Sequence, residues 1–251
     1  MRIRDLKLVR SQSEMRNWPE GKFLIDTVNT HSFVLAQKDS AFAQALMDAD
    51  FLLPDGSYIV KACRWLKMKN APEEKIAGTD LFLYEMDRLN RKGGTCLFMG
   101  SSEAVLQRIR EKAAERYPRI RIETYSPPYK PFFSDEDNRA IIQAIHAVDP
   151  DLLWIGMTAP KQEKWLHEHW GELRIHCHTG AIGAVFDFFA GTVNRAPQWW
   201  LRNNVEWLYR FIKEPGRMWR RVVISGPVFL WLVVKEMLTP PSDGASSRRT
   251  R

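Results

Sequence analysis

The 251-residue sequence predicts an α/β protein with a mostly parallel β-sheet and helices on both faces. Short apolar runs alternate with helical patterns along the chain, most regularly between residues 95 and 178. A hydrophobic fraction of 45% with 27% charged residues is enough for a large buried core. The longest apolar run, residues 222–234, contains Ser-Gly-Pro and is well short of the ~20 residues that a membrane-spanning helix needs. We therefore expect a globular fold without a transmembrane helix.

The first half of the chain predicts two short buried strands, Phe23–Val28 and Phe51–Leu53, since both are apolar runs between polar stretches. A helical pattern from Asp39 to Asp48 separates them, and another follows Pro54-Asp55-Gly56. A third helix is predicted from the turn at residue 78 to about residue 89, ending at the Gly-Gly pair of residues 93–94.

The second half predicts four more strands separated by helices. The strands are residues 95–99, 120–125, 152–157 and 175–178, and the helices are residues 103–116, 135–148 and 160–170. Strands that alternate with helices form a parallel, Rossmann-like sheet, because each crossover helix returns the chain to the same edge.

In such a sheet the ligand lies beyond the carboxyl ends of the strands. Glycines and serines at these ends, followed by a helix start, expose backbone N–H groups that suit a phosphate or diphosphate. Each of these turns, taken alone, is equally explained as an ordinary tight turn. The candidates at the predicted strand ends are Thr27, Asn29, Asp55, Gly100, Ser101, Gly156, Lys161, Gln162, Glu163 and Gly183.

Asp55 is the sharpest of these candidates, because it follows an apolar strand directly and partial burial there would favour acceptance of a proton. An ordinary Asp-Gly turn is the alternative.

Three Asp-x-Asp triplets begin at residues 48, 135 and 149, but none follows a predicted strand, and the six histidines lack the spacing of metal ligands. We assign no metal, and we expect the histidines to be structural or surface residues.

The three cysteines, Cys63, Cys96 and Cys177, are far apart and lie in apolar stretches, which favours reduced, packed thiols in a cytosolic protein. The first 22 residues lack the apolar run of a signal peptide.

Walker and Gly-x-Ser-x-Gly motifs are absent from the sequence, as is a full Gly-x-Gly-x-x-Gly. The sequence therefore lacks the motifs that would predict a P-loop NTPase, an α/β hydrolase or a dinucleotide-binding protein.

Residues 198–251 hold ten of the basic residues against four acidic ones, which is +6 of the chain's net charge of +7. Five of the ten tryptophans lie there as well. Basic and aromatic residues before a short apolar helix are typical of a segment at an anionic lipid surface. Two alternatives stay open: a C-terminal helix packed on its own core, and stacking on single-stranded nucleic acid.

Seven ordered motifs between about residues 20 and 238 resemble those of the WecG/TagA/CpsF glycosyltransferases (glycosyltransferase family 26). They are Thr27-Val28-Asn29, Pro54-Asp55-Gly56, Ala77-Gly78-Thr79-Asp80, Ala159-Pro160-Lys161-Gln162-Glu163, Phe186-Asp187 with Ala190-Gly191, Arg195-Ala196-Pro197, and Glu206-Trp207-Leu208-Tyr209-Arg210 with Glu214-Pro215 and Arg217.

The resemblance implies an inverting, metal-independent bacterial glycosyltransferase of cell-surface polysaccharide biosynthesis. It would move a sugar of the ManNAc, ManNAcA or glucose type from a UDP-sugar to an undecaprenyl-diphosphate-linked sugar, without a cofactor. Asp55 would be the base, with Thr27 and Asn29 in the same pocket. The donor would be bound by the strand-end candidates from Gly100 onward and by Asp187. The diphosphates would be met by Arg195, Arg210, Arg217, Arg220 and Arg221.

We accordingly expect a catalytic core at residues 1–197, a basic, Trp-rich appendage at residues 198–238 and a disordered tail at residues 239–251. The expected location is the cytoplasmic face of the plasma membrane, bound peripherally through anionic lipid. Nucleic acid is not an expected partner, since residues 1–197 carry a net charge of only about +1. Association of identical chains stays open. So does a second class, a nucleotide-binding or lipid-headgroup-binding protein on the same fold that performs no catalysis.

Overall fold

The computed structural model describes residues 1–193, 197, 199–200, 206–213 and 215–239, without the side chains of residues 206, 210 and 217. The strands are β1 (Phe23–Val28), β2 (Phe51–Pro54), β3 (Gly94–Gly100), β4 (Ile120–Tyr125), β5 (Leu152–Gly156) and β6 (His178–Ala181). The helices before β6 are α1 (Thr30–Ala36), α2 (Ser40–Asp48), α3 (Ser57–Trp65), α4 (Gly78–Lys92), α5 (Glu103–Arg116), α6 (Asp135–Val148) and α7 (Lys161–His169). Those after it are α8 (Gly183–Ala190), α9 (Glu206–Lys213), α10 (Pro215–Trp219) and α11 (Ser225–Leu238), with a π-helical turn at Arg220–Ile224 before α11.

The six strands form one sheet in the order β2-β1-β6-β5-β3-β4, and every neighbouring pair is parallel. Strand β6 joins the two parts of the sheet, since it pairs with β1 on one side and with β5 on the other. The predicted α/β class with a parallel sheet is thereby confirmed. All six carboxyl ends point to one edge, which positions the loops that follow them together.

Successive side chains of the strands enter different cores, as the two-residue period of a strand requires. Phe98 and Trp154 pack under α4, α5 and α8 on one face, whereas Leu97 and Leu153 pack under α6 and α7 on the other. A third cluster joins Val28 and Leu52 to α1, α2 and α3. Helices therefore cover both faces, as predicted.

Three elements differ from the sequence-based prediction, one of which is α8, a helix that was not predicted. The last strand is His178–Ala181 and not Ile175–His178. Ile175 and Cys177 are buried, but they pack into the core from a loop, and the pairing with β1 begins at His178. The prediction also missed α1, which is only seven residues long and begins immediately after β1. The side chain of Asn29 caps it by accepting hydrogen bonds from the N–H groups of His31 and Ser32, both at 3.0 Å.

Helix α11 packs one face on the α/β core. Phe229 and Val233 are each 1% exposed and belong to the cluster around Val28. The Glu236 carboxylate accepts hydrogen bonds from the N–H groups of Ile3 and Arg4, each at 2.9 Å, which ties α11 to the N-terminus. The inner face of α11 is therefore packed on the core, as in the alternative of a packed C-terminal helix. The outer face of α11 carries the exposed side chains of Trp231 and Leu238.

Cys63, Cys96 and Cys177 are free and buried, in agreement with the predicted packed thiols. Burial raises the pKa of Cys63 to about 11 and that of Cys177 to about 12. Within the residues that the structure describes, none of the helices is both long enough and apolar enough to cross a membrane.

Candidate active site

A cleft of about 1290 Å³ opens at the carboxyl edge of the sheet. Each of the six strands contributes to its lining, either with its last residues or with the loop that follows. Helix α11 closes one side of the cleft with Phe229 and Leu230, and the loop after β4 closes another with Tyr129 and Phe133. The cleft is therefore built by the whole parallel sheet together with the C-terminal helix.

Most of the residues predicted for the site line this one cleft. They are Thr27, Asn29, Asp55, Ser101, Gly156, Lys161, Gln162, Glu163, Gly183, Asp187 and Arg221. Gly100 and Arg220 do not line it. Arg195 lies outside the described residues, and so do the side chains of Arg210 and Arg217. The roles given to these residues remain predictions.

Asp55, Thr27 and Asn29 come together because β1 and β2 are neighbours in register, with Thr27 opposite Leu53 and Val28 opposite Pro54. The N–H of Asp55 donates to the carbonyl of Val28 at 2.9 Å, which fixes the backbone of Asp55 at the rim of the sheet. Asp55 is partly exposed and lines the cleft. A carboxylate held in this way can accept a proton from a ligand hydroxyl in the cleft.

Several helices present their N-terminal turns to the cleft, among them α5, α7 and α8. Ser102 caps α5 through a hydrogen bond from the Val105 N–H, and Lys161 and Gly183 begin α7 and α8. Unsatisfied N–H groups and the helix dipole make such turns suitable for phosphate oxygens. The structure thus places these turns at one cleft, and the binding of a phosphate by them stays a prediction.

Gly100 has a packing role in place of the predicted contact with a ligand. Its φ of +120° is a conformation that side-chain-bearing residues rarely adopt, and a Cβ there would lie 2.5 Å from the carbonyl oxygen of Gly156. The close approach of these two glycines brings the ends of β3 and β5 together. Gly156, by contrast, lines the cleft.

Two of the predicted donor-binding side chains already have partners within the protein. The Lys161 ammonium donates to the Lys130 carbonyl oxygen and lies 3.5 Å from the centroid of the Phe133 ring. The Asp187 carboxylate accepts a hydrogen bond from the Thr192 hydroxyl at 3.3 Å. Lys161 therefore holds the loop after β4 against α7 at the margin of the cleft.

Two buried acidic side chains lie under the cleft. Glu163 is 3% exposed and Asp26, in the middle of β1, is 0% exposed. Burial raises the pKa of Glu163 to about 7, and burial together with the charge of Glu163 raises that of Asp26 well above its usual range. Both oxygens of Asp26 lack a hydrogen-bond partner among the described residues. Loss of hydration at these sites favours the protonated carboxyl.

The C-terminal helix is connected directly to the cleft. The Nδ1 atom of His31 lies 2.8 Å from the hydroxyl of Ser225, and both residues are at least partly buried. Burial and the nearby Arg221 guanidinium lower the pKa of His31, which favours its neutral form. The Arg221 cation and the neutral imidazole of His31 come from segments 190 residues apart in the sequence. His31 also lines the cleft.

Sequence reasoning missed further residues at this site, among them Asp26, His31 and the loop after β4. A charged residue inside the apolar run of β1 was a usable signal for Asp26. No comparable signal marks His31, because its place in the cleft depends on the packing of α11. Among the described residues, no cluster of three or more histidine, cysteine, aspartate or glutamate side chains is placed to hold a metal ion.

The parallel sheet, the cleft at its carboxyl edge and the helix N-termini around it define an α/β protein whose cleft is suited to a phosphate-bearing ligand. More specifically, the chain belongs to the glycosyl transferase WecG/TagA/CpsF family, whose model matches residues 1–243. The motifs that carried the resemblance lie within this match.

Relatives from three bacteria share the name N-acetylglucosaminyldiphosphoundecaprenol N-acetyl-beta-D-mannosaminyltransferase. The chain is 32% identical to that of Bacillus subtilis, over 85% of this chain and 79% of the relative. It is 31% identical to that of Bacillus spizizenii, over 86% and 80%. It is 25% identical to that of Staphylococcus aureus, over 87% and 82%.

Proposed function

We propose that this protein is an inverting glycosyltransferase that moves a sugar from a UDP-sugar donor to an undecaprenyl-diphosphate-linked sugar acceptor. The position of Asp55 carries the proposal, since the chain belongs to a glycosyl transferase family and Asp55 offers a partly exposed carboxylate that lines the cleft. The names of the relatives, which specify a diphosphoundecaprenol acceptor, support the acceptor class. They also favour N-acetylmannosamine over N-acetylmannosaminuronic acid or glucose as the transferred sugar.

In the proposed reaction, Asp55 takes the proton of the acceptor hydroxyl as its oxygen attacks the anomeric carbon. The bond between that carbon and the diphosphate oxygen breaks on the opposite face, which inverts the anomeric configuration. Thr27 and Asn29 lie beside Asp55 and line the same part of the cleft. The Asn29 carbonyl oxygen is already used in capping α1, so its contribution to a ligand is through the amide nitrogen.

Negative charge develops on the departing diphosphate and must be stabilised within the cleft. The N-terminal turns of α5, α7 and α8 and the cation of Arg221 are the described groups that support this role. Gln162 is the neutral side chain that we place among them. Arg195, Arg210, Arg217 and Arg220 complete the proposed set by their resemblance to the family motifs, and we propose that the reaction requires neither a metal nor a cofactor.

We further propose that the outer face of the C-terminal segment binds the anionic surface of the cytoplasmic membrane. Its exposed apolar side chains include Trp219, Ile224, Trp231 and Leu238. Arg220, Arg221 and Lys235 lie on the same segment and favour anionic headgroups. Because α11 also forms a wall of the cleft, this placement would bring a membrane-embedded acceptor to the site.

The test is the release of UDP from a panel of UDP-sugars in the presence of a lipid-diphosphate-linked N-acetylglucosamine acceptor. We expect acceptor-dependent release with UDP-N-acetylmannosamine and inversion at the anomeric carbon of the product. Binding of the donor without any acceptor-dependent release would support the non-catalytic class and contradict the proposal.

A further inference from the structure

The Gln162 amide lies between Glu163 and the start of α8. Its nitrogen donates to Glu163 Oε1 at 2.9 Å, whereas its oxygen lacks a hydrogen-bond partner among the described residues. That oxygen and the Met157 carbonyl oxygen both lie within 3 Å of the point that a Cβ on Gly183 would occupy. With an ionised Glu163, the amide must therefore keep its nitrogen toward the carboxylate and turn its oxygen toward the start of α8.

This orientation conflicts with the binding of an anion. A phosphate oxygen needs a donor, and an amide oxygen facing it is repulsive. A half-turn of the amide exchanges its oxygen and nitrogen, but the oxygen then faces Glu163, and only a protonated Glu163 can donate to it. The proton on Glu163 consequently decides which end of the Gln162 amide faces the cleft.

The surroundings of Glu163 favour that proton. Glu163 is 3% exposed, its Oε2 atom has no partner among the described residues, and the fully buried Asp26 is close enough for the two groups to influence each other. The Lys164–Asp39 ion pair, at 2.9 Å, lies where α7 contacts α2, and Lys161 is held by the loop after β4. Asp55, Glu103 and Asp187 are the other described acidic residues that line the cleft.

We propose that Glu163 is a positioning residue that is protonated when the donor binds, and that its proton holds the Gln162 amide with the NH₂ group toward the donor diphosphate. The inference rests on the proposed function, because it assigns the diphosphate as the ligand of Gln162. Asp26 supports the arrangement as a neutral carboxyl, since a second negative charge beneath the cleft would repel the same ligand.

The experiment measures the affinity of the protein for UDP-N-acetylmannosamine by calorimetry from about pH 6 to about pH 8.5, where the charge of its esterified diphosphate is constant. We expect the Kd of the wild type to rise about tenfold as Glu163 ionises. Glu163→Gln, whose amide can donate as a protonated carboxyl does, should keep the tight Kd throughout. Glu168→Gln, an exposed substitution on the same helix, is the matched control and should follow the wild type.

A Glu163→Gln variant with the pH dependence of the wild type would overturn the inference, as would a wild type whose Kd does not change with pH. Gln162→Ala serves where Glu163→Gln does not fold: its Kd should be weak and independent of pH, and a retained pH dependence would contradict the proposal.

A carbon-13 NMR titration of the Glu163 carboxyl group tests the proton without any ligand. We expect a protonated carboxyl at about pH 6, where exposed glutamates are ionised. An ionised Glu163 at that pH overturns the inference whether or not the donor binds. If Glu163 is protonated but the protein does not bind the UDP-sugar, the protonation of Glu163 is supported and the proposed donor is contradicted. The failure of this inference and the failure of the proposed function are therefore distinguishable.

Discussion

Phe229 of α11 meets Phe33 of α1 edge to face, with ring centroids 5.6 Å apart and an angle of 88° between the rings. Both side chains are 1% exposed. The contact joins the C-terminal segment to the core cluster around Val28, beside the cleft that Phe229 also lines. Part of the predicted appendage is therefore packed against the same core as the sheet, and α11 both lines the cleft and carries exposed apolar side chains.

This contact predicts that Phe229→Ala destabilises the protein by about 3 kcal/mol or more, because it leaves a cavity in a closed core. Leu238→Ala, at a position 81% exposed on the same helix, should cost less than about 0.5 kcal/mol. Urea unfolding followed by circular dichroism measures both. Equal stabilities of the two variants would show that α11 contributes little to the core, and residues 1–197 would then be expected to fold alone.

Asp55→Asn keeps the shape of the side chain and removes the proton acceptor. We expect turnover to fall ~100-fold or more while the affinity for the donor stays near that of the wild type. The control is Asp135→Asn, an exposed substitution in the first turn of α6. Acceptor-dependent release of UDP is the assay, and wild-type turnover in Asp55→Asn would remove Asp55 from its proposed role.

The proposed independence from metal predicts that EDTA leaves the transfer rate nearly unchanged, since the diphosphate charge is assigned to helix N-termini and arginines. The rate is measured before and after chelation and again after addition of Mg²⁺ or Mn²⁺. Loss of activity on chelation, restored by either ion, would contradict this assignment.

Buried Glu163 predicts a specific pH dependence of stability. Its pKa is about 7 in the folded protein against 4.5 for the exposed group, so between these values the folded state binds the additional proton. The contribution of Glu163 to the free energy of unfolding is therefore fully present below about pH 4.5 and is lost as the pH rises toward and through 7. Relative to the wild type, Glu163→Gln should lose this decline and gain stability at alkaline pH. Chemical unfolding at a series of pH values checks it, with Glu168→Gln expected to match the wild type.

The outer face of α11 predicts peripheral, salt-sensitive binding to vesicles that contain anionic lipid. Replacing Trp231 and Leu238 by Ser should weaken co-sedimentation with such vesicles, because both exposed side chains would otherwise enter the interface. Trp65→Ser replaces an exposed tryptophan at the end of α3, which is 46% exposed against 60% for Trp231, and this variant should bind as the wild type does. If the Trp231 and Leu238 double variant bound normally, the lipid-facing surface would have to be sought elsewhere.

The arginines of the same segment predict a different outcome. Arg221→Ala should reduce turnover more than it reduces vesicle binding, since each basic residue near the surface contributes only ~1 kcal/mol to lipid attraction. Its loss from the cleft removes a charge that faces the diphosphate. Parallel transfer and co-sedimentation assays compare the two losses, and a variant impaired only in vesicle binding would assign Arg221 to the membrane.

By itself, the sequence determined the parallel α/β class and five of the six strands to within about a residue or two. It also placed the candidate side chains at a common edge. These properties follow from local patterns, because apolar runs of strand length alternate with helical periods and parallel strands must share their carboxyl edge. The motifs around Asp55 and Gln162 were accessible for the same reason, since each lies immediately after a strand or at a helix start.

Only the tertiary structure decided the last strand, the placement of α11 and the environment of the buried acids. The segment His178–Ala181 has no apolar pattern, and it forms a strand because its backbone pairs with β1 on one side and with β5 on the other. Likewise, His31 meets Ser225 and Glu163 meets Asp26 across long stretches of sequence. Burial, and with it the protonation of a carboxyl group, depends on which distant segments exclude water from it, and local sequence does not contain that information.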